Sequence, residues 1–175
     1  MPSGQPGGTP ALRFMSNSQI RAIILSVSDT RKESDDASGD LLSGLLLEAG
    51  IDVAGKLIVS DDLEDLKNAL TVIASREDIN LIVTTGGTGL GPRDNTPEAT
   101  LGICERIVPG IAEAMRMETL KNTPMAMLSR GVCGVRSGTL IINLPGSPKG
   151  VRECFSVIQP VLQHAINLVS GETSH

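Results

Sequence analysis

Loops rich in glycine, hydroxyl and carboxylate side chains follow four apolar segments of this 175-residue chain. The most distinctive of them occupies residues 86–94 and reads GGTGLGPRD. Glycines let the backbone approach a ligand closely and leave peptide N–H groups exposed, which makes a concave site for an anion. The spacing of these glycines matches neither a P-loop nor a dinucleotide-binding fingerprint. The pattern indicates either phosphate binding or a tight strand-to-helix turn with structural glycines.

A second loop, residues 143–149 with the sequence NLPGSPK, leads into a predicted helix. Ser147 is expected to cap that helix, with Pro148 at its first position. The exposed amides and the dipole at a helix N-terminus suit a phosphate, and Lys149 would add positive charge. The alternative is an ordinary capped helix that binds nothing.

Two acidic residues in these loops, Asp61 and Asp94, are candidate ligands for Mg²⁺. Magnesium favours one or two carboxylates together with the phosphate oxygens of a nucleotide. Asp61 could instead form a capping box with Glu64 at the start of a helix. Asp94 could instead pair with its neighbour Arg93 at the surface, an interaction that contributes little to stability.

Strands and helices alternate along the chain in the hydrophobic pattern. The predicted strands are residues 20–28, 53–59, 81–85 and 139–144, and the predicted helices are residues 39–49, 62–75, 96–106, 109–120 and 147–169. Thr96 is expected to cap its helix with Pro97 at the first helical position, and Pro160 to bend or interrupt the last helix.

This alternation predicts an α/β fold with a mostly parallel sheet covered on both faces. Ligands of such sheets bind beyond the carboxyl ends of the strands, where the strand order reverses. All four polar loops, which begin at Ser28, Ser60, Gly86 and Asn143, follow predicted strands. If the strands are parallel, the loops open on one edge, and this convergence favours a ligand site over four unrelated turns.

Composition excludes several classes of function. The chain has no Trp, no Tyr and two Phe, so it lacks an aromatic platform for single-stranded nucleic acid and an aromatic cage for methylated amines. Its net charge of −5 argues against duplex binding. Three Cys and two His without metal-ligand spacing argue against zinc and against a His-activated nucleophile, and predict reduced structural thiols.

We expect one folded domain over residues 20–170. Residues 1–19 are rich in Gly and Pro and predict a disordered tail, and residues 171–175 predict a flexible C-terminus. No apolar run is long enough for a membrane span, and no secretion signal is visible. We therefore expect a cytoplasmic protein that binds neither membrane nor nucleic acid.

Several runs, taken together, resemble a known family. They read TTGGTG at residues 84–89, PRD at 92–94, TPEA at 96–99, SVSDT at 26–30, MLSR at 127–130 and INLPGS at 142–147. In this order and at this spacing they resemble the MogA/MoaB family of molybdenum cofactor biosynthesis proteins, over residues 20–168. Within that family, residues 127–142 look most like the gephyrin G domain.

The resemblance implies a three-layer α/β/α fold, a homotrimer and a molybdopterin adenylyltransferase. Such an enzyme transfers AMP from Mg-ATP to the terminal phosphate of molybdopterin and releases pyrophosphate. By motif, Asp61 and Asp94 match the acidic positions needed for catalysis and metal binding, and Ser129 matches a serine that handles molybdopterin. The implied ligand-binding residues are Ser28, Asp29, Thr30, Thr85, Gly86, Gly87, Thr88, Gly89, Glu98, Arg130, Asn143, Pro145, Gly146 and Ser147. A molybdenum insertase is an implied partner.

The alternative is a protein of a different class that binds without turnover. It would be a MoaB-like molybdopterin-binding trimer or a G-domain-like scaffold. Attack of a phosphate monoester on an α-phosphorus needs alignment and charge neutralisation, with no side-chain nucleophile, so the lack of a catalytic His is compatible with the enzyme. In either case the planar rings would have to rest on glycine backbone, Leu90, Pro145 or a methionine such as Met127.

Overall fold

The computed structural model describes residues 19–172. Residues 1–18 of the predicted tail, and residues 173–175 of the predicted flexible C-terminus, lie outside the described residues.

The centre of the fold is a six-stranded sheet with the strand order β2-β1-β3-β6-β5-β4. Neighbouring strands among β1, β2, β3 and β6 are parallel, whereas β4 and β5 run antiparallel to their neighbours at one edge. The predicted mostly parallel sheet is confirmed, but β4 and β5 were not predicted. The strands are β1 (Arg21–Val27), β2 (Asp52–Val59), β3 (Leu81–Thr85), β4 (Arg106–Ile107), β5 (Cys133–Arg136) and β6 (Thr139–Leu144).

Helices cover both faces of this sheet. They are α1 (Ala37–Glu48), α2 (Leu63–Ala74), α3 (Thr96–Ile103), α4 (Pro109–Thr119) and α5 (Pro148–Val169), with 3-10 turns at Glu33–Asp35 and Pro124–Leu128. Side chains alternate along β1, so that Ile24 faces α1, α4 and α5 while Leu25 faces α2 and α3. The result is the three-layer α/β/α arrangement that the resemblance implied.

The predicted helix over residues 96–106 is shorter than expected. It ends at Ile103, because Arg106 pairs with Val135 in the antiparallel edge of the sheet. The predicted cap is also wrong: Asn95 holds the capping position, and Thr96 is already helical. The buried Thr96 hydroxyl donates instead to the carbonyl oxygen of Gly86 at 2.9 Å, which ties the helix to the glycine loop.

The last helix, α5, continues through Pro160 without interruption. A proline at this position leaves the carbonyl four residues earlier, that of Ser156, without its helical partner. Both residues are exposed, so water can satisfy this carbonyl. Buried Phe155, Ile158 and Leu162 hold the opposite face of the helix on the sheet. Within residues 19–172, no helix combines the length and apolar content that a membrane-spanning segment needs.

Candidate active site at the carboxyl edge of the sheet

The four polar loops meet at one edge of the sheet, as predicted. The strand order reverses between β1 and β3, since the chain continues to β2 on one side and to β6 on the other. Hydrogen bonds join neighbouring loops: the Ser28 amide donates to the Val59 carbonyl at 2.9 Å, and the Gly86 amide to the Leu144 carbonyl at 3.2 Å. This reversal point is where open α/β sheets bind their ligands.

A cavity of about 560 Å³ opens beside this edge. That volume falls within the range of small-molecule sites. Residues of the glycine loop and of the loop after β6 form one wall. The sequence-predicted site residues that line the cavity are Gly87, Thr88, Gly89, Asp94, Ser129, Asn143, Pro145, Gly146 and Ser147. The other predicted site residues, all within residues 19–172, lie outside the lining: Ser28, Asp29, Thr30, Asp61, Thr85, Gly86, Glu98 and Arg130.

The rest of the lining was missed by sequence reasoning. It consists of α4, the 3-10 turn Pro124–Leu128 and the start of α5. The signal that could have found it is the spacing of Ala112, Met115 and Thr119, which places one buried stripe along α4. The residues of this part of the lining are Ala112, Met115, Arg116, Thr119, Thr123, Met125, Ala126, Leu128, Gly131, Gly150, Glu153 and Cys154.

The first two glycines of the glycine loop are required by the fold itself. Gly86 and Gly87 have φ values of +102° and +65°, which side chains rarely adopt. A Cβ on Gly86 would lie 2.6 Å from the carbonyl oxygen of Val27, and one on Gly87 would lie 2.4 Å from the Thr96 hydroxyl. The tight turn between β3 and α3 therefore explains the glycines at these two positions without a ligand.

The next part of the loop has a property that a simple turn does not need. The backbone N–H groups of Gly87, Thr88, Gly89 and Leu90 donate no hydrogen bond to any residue that the structure describes. All four residues line the cavity. Thr88 is buried, Gly87 and Gly89 are half-buried and Leu90 is exposed, so these N–H groups are accessible from the cavity. A row of accessible amides is suited to an anion that accepts from them.

Asp94 lies at the end of this loop with one carboxylate oxygen engaged. Its Oδ2 accepts from the Gly91 amide at 2.7 Å. A Cβ on Gly89 or Gly91 would come within 2.9 or 2.8 Å of the same oxygen, so the loop curls closely around the carboxylate. Asp94 lines the cavity, and its second oxygen accepts from no described residue.

The loops after β1 and β2 are joined by two reciprocal hydrogen bonds between Asp29 and Asp61. The Asp29 amide donates to Asp61 Oδ2 at 2.8 Å, and the Asp61 amide donates to Asp29 Oδ1 at 3.0 Å. Burial raises the pKa of Asp61, and the negative charges of Asp29 and Asp94 raise it further. A hydrogen bond from Arg93 lowers the pKa of Asp29. A cation near Asp61 would stabilise its partly buried charge.

The capping-box interpretation of Asp61 is wrong. Asp62 caps α2 instead, since its side chain accepts from the amides of Glu64 and Asp65 at 2.9 and 3.1 Å. The Asp61 carboxylate therefore does not accept from the amides at the start of α2. Within residues 19–172, no cluster of three or more metal-ligating side chains could hold a metal ion by itself. Two carboxylates with a free oxygen suit Mg²⁺ that arrives with a nucleotide and keeps its phosphate oxygens as ligands.

Several other predicted residues form hydrogen bonds that join the loops. Buried Asn143 accepts from the Val132 amide at 3.2 Å and donates to the hydroxyls of Thr84 and Thr100 at 3.1 and 3.0 Å. The Thr85 hydroxyl donates to the Pro145 carbonyl at 2.7 Å. These contacts hold the cavity wall in place and leave little hydrogen-bonding capacity for a ligand.

Three of the predicted hydroxyl side chains form hydrogen bonds within their own loops, namely Ser28, Ser129 and Ser147. Ser147 accepts from the Gly150 amide at 3.1 Å, which confirms it as the cap of α5. Ser28 accepts from the amides of Thr30 and Arg31 in a local turn. The Ser129 hydroxyl accepts a long 3.4 Å bond from the Gly131 amide of its own loop and lies on the cavity wall, where it is available to a ligand.

A buried acid missed by sequence reasoning stabilises the same edge. Asp36 is fully buried; it caps α1 by accepting from the Gly39 amide at 3.1 Å, and it also accepts from Ser26 and Arg31. The neighbouring Ser38 hydroxyl donates to the Gly146 carbonyl at 2.7 Å. The N-cap spacing from Asp36 to Gly39 was the available signal.

Arg130 and Glu98 form an ion pair. Arg130 Nε donates to the Gly89 carbonyl at 2.7 Å, and Nη2 donates to the Asp94 carbonyl at 2.6 Å. Hydrogen bonding and charge from Arg130 lower the pKa of Glu98. Arg130 therefore contacts both the glycine loop and Glu98, and Glu98 contacts Arg130.

Comparison with known proteins identifies the family. A family model described as a probable molybdopterin binding domain matches residues 23–164. The chain belongs to the MogA/MoaB family of molybdenum cofactor biosynthesis proteins.

Relatives of this MogA/MoaB-family chain carry several names. It is 42% identical over 155 residues to the Drosophila melanogaster molybdenum cofactor synthesis protein cinnamon, a match that covers 86% of this chain and 26% of that protein. It is 39% identical over 152 residues to the molybdopterin adenylyltransferase of Helicobacter pylori, covering 85% of this chain and 86% of the relative. The chain thus spans about a quarter of the first relative and most of the second.

Solved structures agree with the fold. The structure of the molybdopterin biosynthesis enzyme MoaB from Thermus thermophilus superposes with a TM-score of 0.80 at 48% sequence identity. The match covers 87% of this chain and 98% of that one.

The apolar lining of this MogA/MoaB-family cavity differs in one residue from the expectation. Leu90 and Pro145 line the cavity, but its methionines are Met115 and Met125 and not Met127. Cys154 also lines it, and burial raises the pKa of this thiol to about 11. A thiol with this pKa is protonated at neutral pH, which fits Cys154 as part of the apolar wall.

Proposed function

We propose that this chain is a molybdopterin adenylyltransferase. The terminal phosphate of molybdopterin attacks the α-phosphorus of ATP and forms a new P–O bond. The bond between the α-phosphorus and the oxygen that bridges to the β-phosphate breaks, and pyrophosphate leaves with that electron pair. The products are adenylylated molybdopterin and pyrophosphate.

The observation that carries the proposal is the row of free amides at residues 87–90 along one wall of an apolar cavity. The amides provide hydrogen bonds for phosphate oxygens at fixed positions. The apolar wall, with Met115, Leu128 and Pro145, provides a surface for a planar ring. A ligand with a flat ring and a phosphate end fits this division, and molybdopterin is such a ligand.

The chain's own residues align the reactants and neutralise charge, the two contributions that phosphoryl transfer chiefly needs. Free amides orient the phosphates at the cavity wall. Asp94 and Asp61 would hold Mg²⁺, which supplies neutralisation of the triphosphate charge when it is bound. The Ser129 hydroxyl donates to the phosphate end of molybdopterin. No side chain forms a covalent bond to the transferred group.

The test incubates the purified chain with molybdopterin, ATP and Mg²⁺ and measures adenylylated molybdopterin and pyrophosphate by chromatography. The matched control replaces ATP with an analogue whose α–β bridging oxygen is a methylene group, because this bond must break. We expect equal amounts of the two products with ATP and none with the analogue. Tight pterin binding without product would refute the enzyme.

A second candidate is a binding protein without turnover. It is favoured by the similarity to relatives whose names state no transferase activity, such as molybdenum cofactor biosynthesis protein B of Bacillus anthracis at 38% identity. The same experiment separates the two candidates. Pterin binding can be followed by the fluorescence of the pterin itself, because the chain contains no Trp and no Tyr to interfere.

We further propose that the chain acts as a cytoplasmic homotrimer and passes its product to a molybdenum insertase. Sedimentation tests the assembly: a monomer at micromolar concentration would contradict the trimer. Co-sedimentation with a molybdenum insertase from the same cells tests the transfer partner. These proposals come from the resemblance to the family and stand apart from the chemistry of the cavity.

A further inference from the structure

We propose that Arg130 is a positioning residue that turns the amides of the glycine loop toward the cavity, and that it does not bind phosphate itself. The inference rests on the proposed function only for its catalytic readout. Its structural readout concerns the loop alone.

All three nitrogen atoms of the Arg130 guanidinium donate to the protein. Nε donates to the Gly89 carbonyl, Nη2 donates to the Asp94 carbonyl, and Nη1 donates to the Glu98 carboxylate. The Arg130 amide donates to the Thr88 carbonyl at 2.8 Å. One residue thus holds the loop at three points, Thr88, Gly89 and Asp94, and ties it to Glu98 of α3.

These contacts determine which way the loop amides face. No described peptide bond is cis, so each carbonyl points opposite to the N–H of the following residue. Arg130 takes the carbonyls of Thr88 and Gly89. The N–H groups of Gly89 and Leu90 therefore point away from Arg130. Since Gly89 and Leu90 line the cavity and Arg130 does not, this side is the cavity side.

The same guanidinium fixes the backbone of Asp94. With its carbonyl bound to Arg130 and its carboxylate bound to the Gly91 amide, Asp94 is held from two directions. The direction of the Leu90 amide and the backbone of the candidate magnesium ligand thus depend on one side chain, whereas the Gly89 amide is oriented through the backbone amide of Arg130. Release of the Arg130 side chain would let Leu90 and Asp94 move together.

The geometry also separates this role from direct phosphate binding. A guanidinium that bound a phosphate bidentately would have to leave at least one of its loop carbonyls or Glu98. Lysine retains the charge of Arg130 but has a single nitrogen, which cannot reach Gly89, Asp94 and Glu98 with the same planar fork. A charge-keeping substitution therefore tells the two roles apart.

The kinetic test compares Arg130→Lys and Arg130→Met with the unchanged protein. The matched control is Arg76→Lys, which alters an exposed arginine that pairs bidentately with Asp78. We expect both Arg130 variants to lower kcat by about 100-fold, the order of loss caused by a misplacement of about 1 Å. The KM for molybdopterin should rise by a smaller factor than kcat falls, because the apolar wall that holds the ring is unchanged. Near-normal kcat in Arg130→Lys would overturn the proposal.

The structural test uses inorganic pyrophosphate as the probe and backbone amide NMR of ¹⁵N-labelled protein as the measurement. In the unchanged protein and in Arg76→Lys, pyrophosphate should shift the amide resonances of Gly89 and Leu90. In Arg130→Lys the Leu90 resonance should be displaced before any addition and its response should be lost, because the Gly89 carbonyl loses the guanidinium. The Gly89 resonance should change less, because the backbone amide of residue 130 still holds the Thr88 carbonyl. An unaltered spectrum and response in Arg130→Lys, or no response in the unchanged protein, would overturn the proposal.

The two tests fail in distinguishable ways. If the unchanged protein makes no adenylylated molybdopterin, the proposed function fails, while the NMR comparison still decides the role of Arg130. If transfer is observed and Arg130→Lys keeps it, only the positioning role fails.

Discussion

Replacement of Asp94 by asparagine separates the charge of this residue from its structural contact. The side-chain oxygen of asparagine can still accept from the Gly91 amide, which lies 2.7 Å from the carboxylate in the unchanged protein. The loop should keep its shape, and only the negative charge is lost. Asp94→Ala, by contrast, removes the charge and leaves the Gly91 amide without its acceptor.

The size of the effect follows from electrostatics. A unit negative charge about 4 Å from a cation of net charge +1, as for Mg²⁺ with half of its charge neutralised by phosphate oxygens, contributes about 4 kcal/mol at an effective dielectric constant of about 20. Loss of that contribution in the transition state lowers kcat by about 10³-fold. Because the apolar wall around Met115 and Leu128 is untouched, molybdopterin affinity should stay within a few-fold.

The assay measures formation of adenylylated molybdopterin under saturating ATP and Mg²⁺, with pterin fluorescence as the binding measurement. The control is Asp62→Asn, because asparagine caps a helix as well as aspartate does and Asp62 lies outside the proposed machinery. We expect full activity in the control. Transfer by Asp94→Asn within about five-fold of the unchanged protein, well below the loss calculated from its charge, would refute the role of Asp94.

Three further predictions concern Asp61, Gly86 and the cysteines. Burial raises the pKa of Asp61, so its charged form destabilises the fold. Asp61→Asn should therefore raise the thermal midpoint at neutral pH while abolishing transfer. The gain in midpoint should shrink as the pH falls toward 3.8, the ordinary pKa of an aspartate, because the carboxyl of the wild-type protein is then protonated. An unchanged or lower midpoint in calorimetry would contradict this. Gly86→Ala should lower the free energy of unfolding in urea by at least about 2 kcal/mol, because of its positive φ and the clash with the Val27 carbonyl. Gly138→Ala, which has a positive φ but open space, should lower it by about 1 kcal/mol. Equal losses would show that the clash with the carbonyl does not matter. Burial raises the pKa of the three free thiols to about 11 or 12, so iodoacetamide should modify the folded chain slowly at neutral pH, as followed by mass spectrometry; rapid labelling would contradict their burial.

Much of the fold could be predicted from local patterns. The parallel strands β1, β3 and β6 are nearly continuous apolar runs, and α2 and α5 have apolar residues at helical spacing. A parallel sheet brings the ends of its strands to one edge. The strands that were missed, β4 and β5, are short and antiparallel. Arg106–Ile107 spans only two residues, and its pairing with residues 134 and 135 depends on a turn of the chain that no local pattern encodes.

The site was predicted less completely than the fold. The spacing of glycines and acids indicated the wall that contains Gly87, Gly89 and Asp94. It did not indicate the wall formed by α4, whose residues carry no recognisable chemistry until packing places them around the same cavity as the glycine loop. Asp62, and not Asp61, became the helix cap because the start of α2 is decided within one residue by backbone geometry.

The sequence by itself determined which residue types could bind an anion and a cation, and on which edge of the sheet they would lie. These properties depend on side-chain chemistry and on the direction of neighbouring strands, both of which are local. Only the tertiary structure decided what each group does. Arg130 reaches Gly89, 41 residues away along the chain, and Asp29 reaches Asp61 across 32 residues. Hydrogen bonds over such separations depend on packing of the whole domain, and they leave the amides of residues 87–90 free for a ligand.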